Sequence, residues 1–293
     1  MSGASTNRIS ADCIKTTTGQ VASPPRVSVI LPTYNGSSTL ADAVRSILEQ
    51  DWRDLELIVV DDASTQDIPG ALAAFAGDVR LVILRNTANS GLAASLNNAI
   101  AAARGEFIAR MDDDDFSLPM RISEQVALLE ARPEVDVVGT GVEFYDSDLN
   151  YLCEHLFPTE HEEMIRFLRC GNPLAHPTVM FRRSFIERAG GYDASLRRME
   201  DLELWGRMAA SSCYANIGKA LLRHRVRSAK TLSAVPPGIR IRLLNGWRLG
   251  YPGAAILWTI VYVFIEVLRH WGYRQRAFRR PPVASINHPR FTD

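Results

Sequence analysis

Short apolar runs alternate with segments of helical periodicity along the first 130 residues. Four nearly continuous runs predict strands that are buried on both faces: 26–31, 55–60, 79–84 and 107–111. On the connections between them, apolar residues recur every three or four positions, as they do from Leu40 to Leu48, and predict helices. Strand and helix alternate four times, which predicts an α/β fold with a mostly parallel sheet flanked by helices.

The pattern continues less regularly after residue 130. Further strands are predicted at 135–138 and 178–181. Two capping-box sequences, one from Thr159 and one from Ser184, predict the starts of helices. Ser117-Leu118-Pro119 is likewise expected to open the helix that follows the fourth strand.

Acidic residues end two of the predicted strands. Four consecutive carboxylates, Asp112 to Asp115, follow the fourth strand, and Asp61-Asp62 closes the second. Adjacent acids repel one another, so a solvated turn is the simplest interpretation. However, ligands of open α/β sheets bind in the crevice beyond the carboxyl ends of the strands. Because Mg²⁺ sites combine one or two carboxylates with phosphate oxygens, we expect a divalent cation here.

Several common site motifs are absent from the sequence. There is no G-x-G-x-x-G after the first strand and no G-x-x-x-x-G-K-[ST], which disfavours a dinucleotide fold and a P-loop. The four cysteines lie far apart without a C-x-x-C pair, so neither a zinc site nor a disulfide framework is indicated, and a reducing, cytosolic setting is expected. Residues 1–25 are polar and are expected to form a disordered arm without a secretory signal.

The formal net charge of zero hides an asymmetry along the chain. Residues 219–293 carry 14 Lys and Arg against two acids, whereas the rest of the chain carries 19 basic and 31 acidic residues. A basic tail on an acidic body suggests an anionic partner, such as a membrane surface or phosphate groups. Nucleic acid is disfavoured because the basic residues lack recognition motifs and interleaved aromatic residues.

Four motifs in series resemble those of the family 2 glycosyltransferases of the GT-A fold, which has a Rossmann-like sheet. They are VSVILPTYNG at 27–36, LIVVDDAS at 57–64, DDDD at 112–115 and EDLELW at 200–205. The resemblance covers 26–233, about 70% of the chain. It implies transfer of a sugar from a nucleoside diphosphate sugar, usually a UDP-sugar, with inversion at the anomeric carbon.

The resemblance assigns a nucleotide site to the first two motifs. Pro32 and Tyr34 would border the base, on which Tyr34 would stack, and Asp62 would form a hydrogen bond with it. Many relatives carry Arg-x-His near the pocket, where this chain has Arg225-Val-Arg227. Either arginine is a candidate to grip the diphosphate.

The acidic turn matches the DxD position of the family. By this resemblance Asp113 would lie near the ribose, and Asp114, with Asp112, would hold Mg²⁺ or Mn²⁺ on the diphosphate. Asp115 would assist through water. Such a cation neutralises the charge of a departing pyrophosphate by acting as a Lewis acid.

The last motif provides the predicted catalytic base. Asp201 matches the base of the family, with Glu200 and Trp205 shaping the acceptor pocket, and His176 stands where many members have a histidine. We expect His176 to order its loop. Carboxylates at a helix start also serve simply as dipole complements. A base aspartate, by contrast, needs a pocket or an acidic neighbour to raise its pKa above about 4.

Two departures and two alternatives qualify this interpretation. The Q-x-x-R-W pattern of processive synthases is absent after Trp205, so one sugar per encounter is expected. In addition, no basic residue follows 89–91, where many relatives place one. A metal-dependent nucleotidyltransferase would also combine acidic strand ends with nucleotide phosphates, but it would release pyrophosphate. A catalytically silent scaffold that binds sugar or nucleotide is the second alternative.

The C-terminal part contains the most apolar run of the chain, at 254–265. With one acid at Glu266, it is short for the ~20 residues that cross a bilayer. Aromatic residues and arginines flank it, so we expect a helical, membrane-associated extension at 236–293 that contacts the cytosolic face of the inner membrane through 247–280. A single span and a packed core or dimer helix are the alternatives.

This placement suits a glycan or lipid-linked acceptor in polysaccharide or glycolipid biosynthesis. The remaining chain is predicted to comprise a nucleotide-sugar-binding half at 26–130 and an acceptor-binding half with the base at 131–235.

Overall fold

The structure is a computed structural model that describes residues 23–168, 171–226, 235–253, 256–257, 259–261 and 263–264. Most of the predicted arm, Arg227 and the tail beyond residue 264 lie outside the described residues.

The strands and helices follow one another in the order that the apolar pattern predicts for the first half. The strands are β1 (Val27–Thr33), β2 (Leu55–Asp61), β3 (Leu81–Arg85), β4 (Phe107–Arg110), β5 (Phe116–Ser117), β6 (Val137–Tyr145), β7 (Tyr151–His155), β8 (Met180–Arg182) and β9 (Tyr214–Arg225). The α-helices are α1 (Ser37–Leu48), α2 (Ile68–Ala71), α3 (Leu92–Ala102), α4 (Arg121–Ala131), α5 (His161–Phe167), α6 (Arg183–Ala189), α7 (Glu200–Met208) and α8 (Val235–Arg248). Short 3₁₀ turns occur at Ala73–Phe75 and His176–Thr178.

One sheet joins both halves of the chain in the order β3-β2-β1-β4-β8-β6-β9-β5, with β7 paired to β6. Strands β1 to β4 are parallel, with β1 between β2 and β4. Strand β8 pairs antiparallel with both β4 and β6, and β6 runs parallel to β9. The prediction of an α/β fold with a GT-A-like sheet flanked by helices is confirmed.

The central strands are buried because helices cover both faces of the sheet. Val29 and Leu31 of β1 pack into one core, which includes residues of α1. Ile30 points to the opposite face and packs into a second core with Leu96 of α3. Each such side chain contributes about 1.5–3 kcal/mol by its burial. The rigid central strands therefore fix the positions of the loops at their carboxyl ends.

Three strands were missed by the sequence pattern. All five residues of β7 are exposed, and β9 is interrupted by the exposed residues Gly218 and Lys219, so neither contains a continuous apolar run. Strand β5 has only two residues and pairs antiparallel with β9. Strand β7 depends on its hairpin partner β6, and β5 and β9 depend on distant partners. Apolar periodicity encodes neither kind of pairing.

Three predicted helix starts were wrong. Ser117 belongs to β5, and α4 begins only at Arg121. Helix α5 begins at His161 after Glu160, without a side-chain cap, so Thr159 does not form the expected capping box. Helix α6 begins at Arg183, which places Ser184 inside the helix. In the last two cases tertiary packing sets the boundary instead of local capping.

The C-terminal helix α8 packs against α7. Within the described part of the tail and the rest of the described chain, no helix combines the length and apolar character needed to cross a membrane.

Candidate active site

A cavity of about 230 Å³ opens at the carboxyl ends of β1, β2 and β4. Its walls come from the predicted nucleotide motif, from α3 and from the acidic turn: Pro32, Thr33, Tyr34, Asp62, Leu92, Ser95, Asp112 and Asp113. Tyr34 is 50% exposed, so one ring face is accessible to a planar ligand. The structure therefore brings together the residues expected at the base and ribose.

Asp62 organises the wall of this cavity. Its buried carboxylate accepts hydrogen bonds from the Asn86 side chain at 2.7 Å and from the backbone N–H groups of Ser90 and Gly91 at 2.9 and 2.8 Å. These bonds hold the loop between β3 and α3 against the end of β2. The predicted contact of Asp62 with a base remains a prediction.

Asp113 is fixed by the loop that follows β1. The Thr33 hydroxyl donates to Asp113 Oδ2 at 2.6 Å. Gly36 approaches so closely that a Cβ there would lie 1.9 Å from the same oxygen. A larger residue at position 36 would therefore displace the Asp113 side chain from the first loop.

Three carboxylates of the acidic turn form a candidate cation site. Asp112, Asp114 and Asp115 each offer an oxygen atom, and these oxygens lie within 4.8 Å of one another. Hard oxygen donors suit Mg²⁺ or Mn²⁺, so this donor set fits the expected cofactor. Asp112 also forms an ion pair with Arg110, whose guanidinium contacts both carboxylate oxygens. The role of Asp114 as the main ligand remains a prediction.

The sequence interpretation missed the partner of Asp115. His224 Nδ1 lies 2.9 Å from Asp115 Oδ1, and the Arg225 backbone N–H donates to the same oxygen at 3.2 Å. Burial raises the pKa of Asp115 to about 6 against the opposing effect of His224. The sequence contained a signal for this contact, because His224 is adjacent to Arg225. However, the histidine directly precedes Arg225, whereas the expected Arg-x-His pattern places it two positions after that arginine.

The backbone of Arg225 contacts this acidic cluster at Asp115. Its Nε is buried and has no hydrogen-bond partner among the described residues. A buried N–H group without a partner is costly, which keeps Arg225 a candidate for contact with a bound anion. Arg227 lies outside the described residues.

The predicted base stands at the start of α7, beyond a strained residue. Met199 adopts a left-handed conformation at φ 66°, which turns the chain into the helix. Asp201 Oδ1 accepts the N–H of Leu202 at 2.7 Å, and Asp201 Oδ2 accepts the Asn172 amide at 2.6 Å. Asn172 was not identified as a site residue from the sequence.

Burial makes the two carboxyl groups of α7 more basic than usual. It raises the pKa of Glu200 to about 7, and the neighbouring Asp201 charge adds to this effect. Burial also raises the pKa of Asp201, opposed by the Leu202 N–H, the charge of Arg110 and the Asn172 amide. Arg121 Nη1 donates to the carbonyl of Arg110 at 3.0 Å and to that of Pro177 at 2.9 Å. Because Arg110 also holds Asp112, and His176 next to Pro177 lies beside Glu200, these contacts connect the acidic turn to the start of α7.

His176 orders the wall behind Glu200. Its Nε2 lies 3.0 Å from the Tyr192 hydroxyl, and its Nδ1 lies 3.7 Å from Glu200 Oε1. Burial holds the pKa of His176 well below its usual value, so the ring is neutral. Trp205 is fully buried, stacks on Phe185 and packs edge-on against His176. The acceptor roles of both residues remain predictions.

Comparisons with known proteins agree with this geometry. The sequence model of Glycosyl transferase family 2 matches residues 28–190, more than half of the chain. The protein EpsE of Bacillus subtilis is 41% identical over 188 residues, which cover 62% of this chain and 66% of EpsE. The amylovoran biosynthesis glycosyltransferase AmsE of Erwinia amylovora is 31% identical over 205 residues, which cover 69% of this chain and 76% of AmsE.

A solved structure shares the fold. The structure of TarS from S. aureus in complex with UDP-GlcNAc aligns with a TM-score of 0.62 at 20% identity, over 76% of this chain and 66% of that one. The chain thus spans just under two thirds of the length of both EpsE and the TarS chain.

Proposed function

Because this chain belongs to glycosyl transferase family 2, we propose that it transfers a sugar from a nucleoside diphosphate sugar, in particular a UDP-sugar, to a glycan or lipid-linked acceptor. The observation that carries this proposal is the shared position of Arg110. Its guanidinium pairs with Asp112 of the acidic turn, and its carbonyl shares the Arg121 guanidinium with Pro177, next to His176 and Glu200. This connection supports a donor site and a base that adjoin each other, as a single displacement with inversion requires.

The cavity and the acidic turn bind the sugar donor. Tyr34 stacks on the base, Asp62 and Asp113 bind the nucleoside, and Asp114 with Asp112 holds Mg²⁺ or Mn²⁺. The cation, when bound, supplies Lewis-acid neutralisation of the diphosphate. Arg225 is placed to contact the same phosphates. The UDP-GlcNAc complex of TarS supports a nucleotide-sugar ligand for this fold.

Residues at the start of α7 activate the acceptor. An acceptor hydroxyl attacks the anomeric carbon, Asp201 takes its proton, and the bond from that carbon to the β-phosphate oxygen breaks to release the nucleoside diphosphate. Burial keeps Asp201 basic, and Asn172 orients the carboxylate. His176 and Trp205 shape the acceptor side from behind Glu200.

We place the reaction in polysaccharide or glycolipid biosynthesis at the cytosolic face of a membrane, with one sugar added per encounter. The name of AmsE, a biosynthetic glycosyltransferase of amylovoran, supports the polysaccharide assignment. The basic, apolar C-terminal segment supports proximity to a membrane.

A screen of nucleotide sugars for donor hydrolysis, with and without Mn²⁺, tests the proposal. Release of a nucleoside diphosphate is expected, whereas release of pyrophosphate would indicate a nucleotidyltransferase. Absence of both products and of UDP binding would favour a silent scaffold. In the active protein, Asp201→Asn is expected to bind UDP normally and to lose transfer, whereas the exposed Asp193→Asn retains both.

A further inference from the structure

The helix α8 has two distinct faces. Its inner face packs on α7 through the buried residues Ile241 and Asn245. Its outer face carries Arg240, Leu244 and Trp247 at three- and four-residue spacing, with Arg248 beside them. The exposed Tyr251 follows shortly after the end of the helix. Trp247 is 76% exposed, the highest value among the large apolar side chains of the tail. We call these five residues the outer stripe.

Apolar exposure continues beyond the helix. Ile256, Leu257, Ile260 and Phe264 are each more than half exposed. With the outer stripe they account for seven of the fifteen large hydrophobic residues exposed in the described chain. Such a concentration of exposed apolar surface marks a binding face.

We propose that the outer stripe of α8 docks on an anionic lipid bilayer and thereby sets the catalytic helix α7 at a fixed height above the membrane. The inference rests on the proposed function, because it assigns a membrane-borne acceptor to the same site. A bilayer supplies both properties that this face requires, an apolar depth for Leu244 and Trp247 and negative charge for Arg240.

The charge of the surface selects a bilayer over a second copy of the chain. The outer stripe carries Arg240 and Arg248 and no acid, and Arg248 pairs with Glu203 of α7, so Arg240 supplies the unneutralised charge of this face. A two-fold contact would place the same patch of both copies together and bring like charges into one interface. Anionic headgroups instead attract such residues.

Specific contacts connect this surface to the base. Asn245 Nδ2 donates to the carbonyl of Leu202 at 2.9 Å in a buried position, and Leu202 follows Asp201 directly. Arg248 Nη1 donates to Glu203 at 3.1 Å. Gly206 permits this close packing, because a Cβ there would lie 2.0 Å from Asn245 Oδ1. Helix α8 therefore carries α7 with it wherever the outer stripe binds.

Vesicle co-sedimentation of the full chain tests the proposal. Wild type is expected to bind vesicles of phosphatidylcholine with phosphatidylglycerol, to bind pure phosphatidylcholine vesicles less, and to be released partly by salt. The triple variant Leu244→Ser, Trp247→Ser and Tyr251→Ser is expected to bind at least about tenfold more weakly. Val79→Ser is the matched control, because Val79 is 86% exposed and lies outside α8.

Three outcomes would overturn the proposal: equal vesicle binding by the triple variant, equal binding to neutral and anionic vesicles, or a wild-type dimer that the triple variant dissolves. Thermal unfolding of both variants checks that the fold is intact. Calorimetry with UDP and Mn²⁺ in the absence of lipid tests the donor site separately. Loss of vesicle binding with UDP binding retained therefore concerns α8 alone, and loss of UDP binding in wild type concerns the proposed function.

Discussion

The amide of Asn172 donates to Asp201 Oδ2 at 2.6 Å, across 29 positions of the chain. Leu202 N–H occupies the other oxygen of the same carboxylate. Two donors therefore fix the orientation of the proposed base before any acceptor binds. A base held in this way meets the geometric requirement of general base catalysis, which precedes the requirement for a suitable pKa.

Removal of the Asn172 amide should weaken this arrangement without loss of donor binding. We expect Asn172→Ala to lower kcat about 10- to 100-fold, because a hydrogen bond to a charged group contributes ~1.5–3 kcal/mol. The amide also lowers the pKa of Asp201, so its loss should move the acid limb of the kcat profile to higher pH.

Asn150→Ala is the control for this variant, since Asn150 also bonds to an aspartate but lies in an exposed turn. An unchanged pH profile with lowered kcat in Asn172→Ala would show that Asn172 does not act through the base.

Glu200 should make the stability of the protein depend on pH in a defined direction. Burial raises its pKa from 4.5 to about 7. A carboxyl group with a raised pKa in the folded state contributes stability below its unfolded pKa, and this contribution is lost as the pH rises through about 7. Glu200→Gln should therefore raise the free energy of unfolding at pH 8 by roughly 1–3 kcal/mol and leave it unchanged near pH 4.

Denaturant unfolding at both pH values measures this difference, with Glu187→Gln as an exposed control. A stabilisation of equal size at pH 4 and pH 8 would argue against a raised pKa of Glu200.

Gly36→Ala should impair the donor site through Asp113. The new Cβ would lie 1.9 Å from Asp113 Oδ2 and 2.8 Å from Thr33 Oγ1, so the Asp113 side chain must rotate and lose its bond to Thr33. We expect UDP affinity to fall about tenfold or more, in line with the loss of one charge-assisted hydrogen bond. Gly77→Ala should have no effect on UDP binding, because a Cβ there meets nothing within 4 Å. Normal UDP binding by Gly36→Ala would remove Asp113 from the donor site.

The sequence predicted the strand ends around the cavity better than it predicted the partners of Asp201 and Asp115. Strands β1, β2 and β4 are buried on both faces, so their continuous apolar runs revealed them, and the acids at their ends followed from strand order. The pairs Asn172–Asp201 and His224–Asp115 join residues 29 and 109 positions apart. Neither pair leaves a local pattern, because tertiary packing alone brings the partners together.

The exposed strand β7 and the late start of α4 illustrate a second reason. Strand β7 has no apolar face, and its pairing with β6 supplies its stability. The two residues of β5 pair with β9, and helix α4 therefore begins only at Arg121. Local propensity is overridden in both places by backbone pairing with another strand, a hairpin neighbour for β7 and a distant strand for β5.

Calorimetric titration of UDP into Asp114→Asn, with and without Mn²⁺, tests the central claim that the acidic turn holds the cation of the donor. Wild type and the exposed control Asp148→Asn should bind UDP more tightly when Mn²⁺ is present. Asp114→Asn should lose this gain and bind UDP equally weakly under both conditions. Undiminished Mn²⁺-dependent binding of UDP by Asp114→Asn would contradict the account.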